Sequence, residues 1–384
     1  MHRSFPIVAL AASGLFAFTT TATAETITVC AVDCDHTSIN AAIDAASNGD
    51  IIQLAAETYT EGEVINLDGK GITLLGTTDK SGTPTSILDG VDEHQLLFCT
   101  TNETSSTVLR NLLITRGFSK GGGGGLYVEN ASPSLFNCHF ILNNAFVGGG
   151  LAAKESNMSL DRCLFHHNEG FYEGGGAEFM NTSVTLHGCT FNENYASMLG
   201  GGVTCFGQGK TTNPKTNNFT DCIFVGNITG SADSAGSAGG SGMFTTNCFV
   251  GLADCRFTDN QTYGQGPALA HGAINDKNGG ILIIHDCDFC ANTTIPTGSD
   301  QIFGEYLELG DGNCIEASCD DCPIPVEGDL DGDGVVDAAD FVHLRALIGV
   351  ETLGCVAADI NGDGEVNGAD LAFVLGYWGL CSAP

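Results

Sequence analysis

The phrase Cys-x-Phe-x-x-Asn occurs six times in this chain. The copies are Cys138-Phe140-Asn143, Cys163-Phe165-Asn168, Cys189-Phe191-Asn194, Cys222-Phe224-Asn227, Cys255-Phe257-Asn260 and Cys287-Phe289-Asn292. Successive cysteines are 25, 26, 33, 33 and 32 residues apart. Three residues before each Cys stands an apolar residue: Leu135, Leu160, Leu186, Phe219, Leu252 and Ile284. The triplets Gly148–Gly150, Gly174–Gly176 and Gly200–Gly202 follow the early Asn positions. After them come apolar or small pairs at alternate positions: Leu151 and Ala153, Ala177 and Phe179, Val203 and Cys205. Each unit is therefore three short pieces of two-residue period separated by turns, with no room for an amphipathic helix. A period near 25 built this way predicts one rung of a parallel β-helix.

Rungs stack at about 4.8 Å, so equal positions should lie over one another. Cys and Phe, two residues apart, then point inward together and form a thiol column and an aromatic column. The motif Asn is expected at a corner in the left-handed region, its side-chain amide bonded to its counterparts above and below. The glycines make a further corner, where the backbone needs positive φ or close approach. Parallel in-register cysteines hold their Cβ atoms too far apart and badly angled for disulfides, so the six are expected reduced and buried. Better disulfide candidates are Cys30 with Cys34, Cys314 with Cys319 or Cys322, and Cys355 with Cys381.

The first residues, "MHRSFPIVALAASGLFAFTTTATA", have a basic start, an apolar centre and an Ala22-Thr23-Ala24 ending. This is the pattern of a secretory leader, expected to be cleaved after Ala24. Its apolar part is too short for a membrane span, and no other apolar run approaches that length. The expected location is secreted or cell-surface, with no membrane span in the mature chain. Acids outnumber bases by 46 to 13, and the net charge of −33 argues against nucleic acid and anionic membranes as partners. It favours cations, or serves only solubility.

"TSINAAIDAASNGDIIQLAAETYTEGEVINLDGKGITLLG", followed by "SILDG", resembles the start of a pectin-lyase-like right-handed parallel β-helix. The resemblance implies a short helix near Ser38 to Ala46 that caps the open end of the core, with the first rung beginning at "GDIIQLAAETY". The glycine-triplet and Phe-x-x-Asn units, from about Val108 to Thr293, resemble the repeats of chlamydial polymorphic outer-membrane proteins, which are β-helical adhesins. No β-barrel of alternating strands follows them here.

Beyond the acidic, Cys- and Pro-rich "CIEASCDDCPIPVEG" come "DLDGDGVVDAAD", Asp329 to Asp340, and "DINGDGEVNGAD", Asp359 to Asp370. Positions 1, 3, 5, 9 and 12 carry Asp329, Asp331, Asp333, Asp337 and Asp340 in the first loop. The second has Asp359, Asn361, Asp363, Asn367 and Asp370. Gly334 and Gly364 stand at position 6, where the loop turns sharply, and the carbonyls of Val335 and Glu365 at position 7 complete two oxygen cages for Ca²⁺. Short helices are expected after each loop, at "FVHLRALIG" and "LAFVLGYWG". Two loop-helix units 30 residues apart resemble a type I dockerin, which implies a cohesin-like or other cell-surface protein as partner. Ala338-Ala339 and Gly368-Ala369 stand where cellulosomal examples often carry hydroxyl-rich pairs.

A catalytic group is not assigned from the sequence. The outward row beside the thiol column, His139, Leu164, Thr190, Ile223, Arg256 and Asp288, holds no acid cluster. His166, His167, Glu169, Glu173, Glu178 and Glu193 fall in adjacent rungs and can gather on one side of the coil; the alternative is a solvated acidic face. "CDFC" and "CDDC" resemble zinc knuckles, but the oxidising compartment favours disulfide or thiol. The expected fold is mainly β: a right-handed parallel β-helix with a small all-α calcium-binding C-terminal module. The expected division is leader 1–24, β-helix with cap 25–312, linker 313–327 and dockerin-like module 328–384. The expected function is adhesive, structural or polysaccharide-binding, with calcium-dependent attachment. The alternative is a polysaccharide lyase or glycoside hydrolase.

Overall fold

The computed structural model describes residues 24–207, 215–230, 239–263, 269–272, 280–295, 301–303, 306–309 and 312–319. Residues 1–23 and 320–384 lie outside the described residues, and with them most of the leader, every candidate calcium ligand, Cys322 and the Cys355–Cys381 pair.

The chain winds as a coil of parallel strands. One rung shows the plan: Ser134–Phe136, His139–Ile141, Asn144–Val147 and Leu151–Lys154, each separated by a short corner. Each strand pairs with its equivalent one rung on, which builds four parallel sheets among the described residues. The first sheet runs from Thr26–Val29 to Tyr306–Leu309 and the second from Thr58–Tyr59 to Cys314–Glu316. The third runs from Phe118–Gly122 to Thr293–Ile295, and the fourth from Ile65–Asn66 to Ile302–Phe303.

Register is set by the repeat. Leu135, Leu160, Leu186, Phe219, Leu252 and Ile284 pair in one unbroken column. Phe140, Phe165, Phe191, Phe224, Phe257 and Phe289 form a second. Their rings lie near-parallel with centroids 4.2–4.9 Å apart, the spacing of the rungs themselves. All six are fully buried, and burial of each ring contributes about 1.5–3 kcal/mol. The six motif cysteines are buried and reduced, as are Cys99, Cys205 and Cys248. Each of the six directs its Sγ at a backbone carbonyl two residues earlier, at 3.1–3.6 Å. Burial pushes the Cys163 and Cys189 thiols well up, which keeps them from becoming reactive thiolates.

The motif asparagines form a continuous buried ladder. Asn143 Nδ2 donates to Asn168 Oδ1 at 3.0 Å, and the same bond links Asn168 to Asn194, Asn194 to Asn227, Asn227 to Asn260 and Asn260 to Asn292. The left-handed residue is not the Asn. It is the residue before it, Leu142, His167, Glu193, Gly226, Asp259 or Ala291, with φ between 53° and 64°. The Asn needs its own N–H as well as its side chain aimed at the next rung, as Asn143 N shows by donating to Asn168 Oδ1 at 3.0 Å. The turn therefore closes one position earlier. A second left-handed position precedes each Cys, and the glycine triplets supply a third at Gly148, Gly174 and Gly200. The rest of the triplet is glycine for want of space: a Cβ on Gly149 would stand 2.4 Å from the Glu169 carbonyl oxygen.

The helix α1, Ile39–Ala45, closes the N-terminal end by burying Ile39, Ala42 and Ile43. The Ser38 hydroxyl accepts from Ala41 N at 3.2 Å, and Lys70 Nζ donates to the Ile43 and Asp44 carbonyls at its other end. Cys30 is bonded to Cys34, as the spacing suggested. Cys319 is bonded to Cys290 rather than to Cys314, which is itself disulfide-bonded. Cys290 differs from the column cysteines because it lies at a strand end, one residue past inward Phe289, and a chain segment from outside its sheet can reach it.

Candidate functional site

The sequence places Leu126, Leu151, Ala177, Val203 and Met243 inward on the fourth sheet, so their successors face outward. That outward row reads Phe98, Tyr127, Ala152, Glu178, Thr204, Phe244 in register. Two residues on runs a second row, Glu129, Lys154, Met180, Phe206, Thr246. Phe98 packs on Tyr127, and Phe206 on Phe244, with centroids 6.0 and 5.8 Å apart. Between the two aromatic pairs Ala152, Glu178 and Thr204 are buried, and the accessible polar groups of the two rows are Glu129 and Lys154. Lys154 Nζ donates to Glu129 Oε1 at 2.7 Å, and Tyr127 Oη donates to Glu129 Oε2 at 3.1 Å. These two bonds hold the Glu129 carboxyl below its ordinary range.

Glu178 has the opposite environment. It is 3% exposed, its Oε1 has no hydrogen-bond partner, and the corner at Gly174 lies against its Cβ. Burial, with a smaller push from the Glu173 charge, raises it to about 8. Burial alone raises Glu173 to about 7. One face thus carries a carboxylate held ionised by Lys154 and a carboxylic acid that keeps its proton at neutral pH, a division of state that acid–base chemistry uses.

A ridge borders this face. In the third sheet the pairing of Asn144–Val147 with Glu169–Glu173 shifts register, so Phe146 opposes both Phe171 and Tyr172. The bulge turns all three rings outward: Phe146, Phe171 and Tyr172 are 44%, 64% and 38% exposed. The Phe146 and Tyr172 rings lie 5.5 Å apart at 3°, and Phe171 is 6.0 Å from Phe146. The bulge is held from the next rung, where the Ser197 hydroxyl donates to the Phe171 carbonyl and Met198 N donates to the Tyr172 carbonyl at 3.0 Å. A stacked, exposed aromatic platform across two rungs marks a contact surface.

Of the six residues expected to gather on one side, five separate into two places. Glu173 and Glu178 join the fourth-sheet face. His166, His167 and Glu193 converge at the corner between the second and third sheets, with His167 Nε2 3.0 Å from Glu193 Oε2. Glu169 accepts from Asn144 Nδ2 at 3.2 Å. The outward row from His139 to Asp288 is continuous, and it holds the Arg256–Asp288 pair at 2.8 Å and no acid cluster. Tyr127, Glu129, Lys154 and the three ridge aromatics were not foreseen. The first three lie in the outward phase of a legible alternation, whereas the ridge depends on extra residues that the repeat does not carry.

Among solved structures, the fold is similar to pectin methylesterase from Aspergillus niger at 14% identity, with 79% of this chain and 88% of that chain covered and a TM-score of 0.41. It is also similar to the pectate lyase Pel9A at 14% identity, with 80% and 83% covered and a TM-score of 0.45. An alginate lyase from Paenibacillus sp. is similar at 11% identity, with 77% and 98% covered and a TM-score of 0.29. No curated protein matches the chain. Residues 99–239 match the right handed beta helix region family, and residues 327–377 match the dockerin type I domain family. The chain therefore joins a right-handed parallel β-helix to a dockerin type I domain.

Proposed function

We propose that this is an exported protein whose β-helix holds a polysaccharide along its fourth-sheet face and whose dockerin domain attaches it to a cohesin-like surface protein. The observation that carries the reading is the exposed platform of Phe146, Phe171 and Tyr172. Sugar rings present flat C–H faces to aromatic rings and hydroxyls to charged groups, so the ridge beside the partly exposed Glu129–Lys154 pair suits an extended glycan. Attachment would depend on calcium held by the loops Asp329 to Asp340 and Asp359 to Asp370, a reading supported by the dockerin match and by the ligand spacing. The apolar leader supports export, and no helix among the described residues is long and apolar enough to cross a membrane.

A second reading is cleavage of the bound polysaccharide, and the one feature that favours it is the contrast of carboxyl states on this sheet, with Glu129 ionised and Glu178 protonated beneath the surface. One experiment tests both. A panel of neutral and acidic polysaccharides, with and without Ca²⁺, is scored for retention of the full chain and for new chain ends. Retention should weaken about tenfold or more in Phe171→Ala/Tyr172→Ala, a loss of about 1.4 kcal/mol. Unchanged retention sinks the binding face. New chain ends that vanish in Glu178→Gln would establish cleavage, and their absence from every glycan would discard it.

A further inference from the structure

The corner where His166, His167 and Glu193 meet lies between the second and third sheets, and none of its three residues belongs to the aromatic platform or to the calcium-loop sequences. Neighbouring residues in a strand point to opposite sides, so two adjacent histidines do not ordinarily share a target. Here they do. His166 ends the strand Leu164–His166, and His167 occupies the left-handed corner position at φ 53°. That turn brings the two imidazole rings to a centroid distance of 4.0 Å. Glu193 occupies the same corner one rung on, also at φ 53°, so its carboxylate is delivered beside the pair by register. One nitrogen or oxygen from each of the three residues lies within 4.8 Å of the others. The His166 Nδ1 is buried without a protein hydrogen-bond partner, so this ring retains uncommitted capacity.

We propose that His166, His167 and Glu193 form a binding site for a divalent transition ion of the zinc class. Two imidazole nitrogens and one carboxylate oxygen suit a borderline ion, whereas the C-terminal loops offer oxygen alone and suit calcium. Ligand atoms on tetrahedral Zn²⁺ stand about 3.3 Å apart, given Zn–N of about 2.0–2.1 Å. His167 and Glu193 are already at 3.0 Å, and both are half exposed, so rotation of free side chains closes the remainder. The backbone does not need to move, because the rungs hold both corners. Three protein ligands leave a fourth position open to water or to a ligand group.

The test uses the full chain with Ca²⁺ kept saturating, so that oxygen-only loops are filled. Zn²⁺ is titrated calorimetrically, and Co²⁺ is followed by its visible absorption. The expected result is one Zn²⁺ per chain and a Co²⁺ spectrum of nitrogen and oxygen ligation. His167→Asn and Glu193→Asn retain a residue tolerant of the left-handed region, so the corner survives. Each should weaken Zn²⁺ at least tenfold, and the double variant should abolish it. Absence of Zn²⁺ binding by the parent chain, a sulfur-to-cobalt charge-transfer band, or affinity unchanged in both variants would overturn the proposal.

Discussion

Glu178 shows how one outward residue acquires an unusual state. It stands between Ala152 and Thr204 in register, with Gly174 beside it and an oxygen left unpaired. Its carboxyl is raised from 4.5 to about 8, so the folded chain holds this proton more tightly than the unfolded chain. Below pH 4.5 both states are protonated and the group contributes no difference. As pH rises from 4.5 to about 8 the unfolded chain ionises first, and stability falls by a few kcal/mol, on the order expected for such a shift. Glu178→Gln should therefore melt at a higher temperature than the parent near pH 9, with the advantage vanishing near pH 4. Melting curves across that range check it, and an advantage independent of pH would show that ionisation is not the cause. The outward direction of Glu178 was legible from the Ala177–Phe179 alternation. Its burial was not, because the corner that shields it, at Gly174, belongs to chain that closes the rung four residues earlier.

At the scale of the element, the ladder of asparagines is the most connected unit. Asn194 Nδ2 donates to Phe165 O at 2.9 Å and to Asn227 Oδ1 at 3.0 Å, and its own Oδ1 accepts from the N and Nδ2 of Asn168. Asn194→Ala removes all four bonds and leaves buried partners on both neighbouring rungs unmet. The expected loss is about 2–4 kcal/mol, seen as a melting point several degrees lower. A change within error would mean that water or local repacking replaces the amide. The ladder and the Phe column could be read from the sequence because the same phrase with the same internal spacing recurs, and stacking its copies aligns Phe over Phe and Asn over Asn. The left-handed position could not. Its occupants, Leu142, His167, Glu193, Gly226, Asp259 and Ala291, share no chemistry, since that site selects for backbone geometry imposed by the Asn after it. The Cys290–Cys319 bond was hidden for another reason: it links a rung to chain outside the repeat, where no period constrains the partner.

The described β-helix is a stack in which each rung touches its neighbours, so its interior is continuous from rung to rung. Nine cysteines among the described residues are free and buried in it. A thiol reagent should therefore leave these nine untouched in the native chain and modify at least nine sites under denaturant. A denatured count near one would show that the column is oxidised. The same stacking separates scaffold from chemistry. Residues 161–186 form one complete turn, bounded by Leu160 and Leu186, which are equivalent in register. Excising it would bring Cys189, Phe191 and Asn194 directly above Cys138, Phe140 and Asn143, restoring every internal match. It would also take away His166, His167, Phe171, Tyr172, Glu173 and Glu178 together. Six of the distinctive surface groups thus ride on a single interchangeable segment, whereas Tyr127, Glu129, Phe146, Lys154 and Glu193 lie outside it. A lineage could acquire, lose or transplant them by recombination at the seams, leaving the supporting cylinder merely shorter or longer.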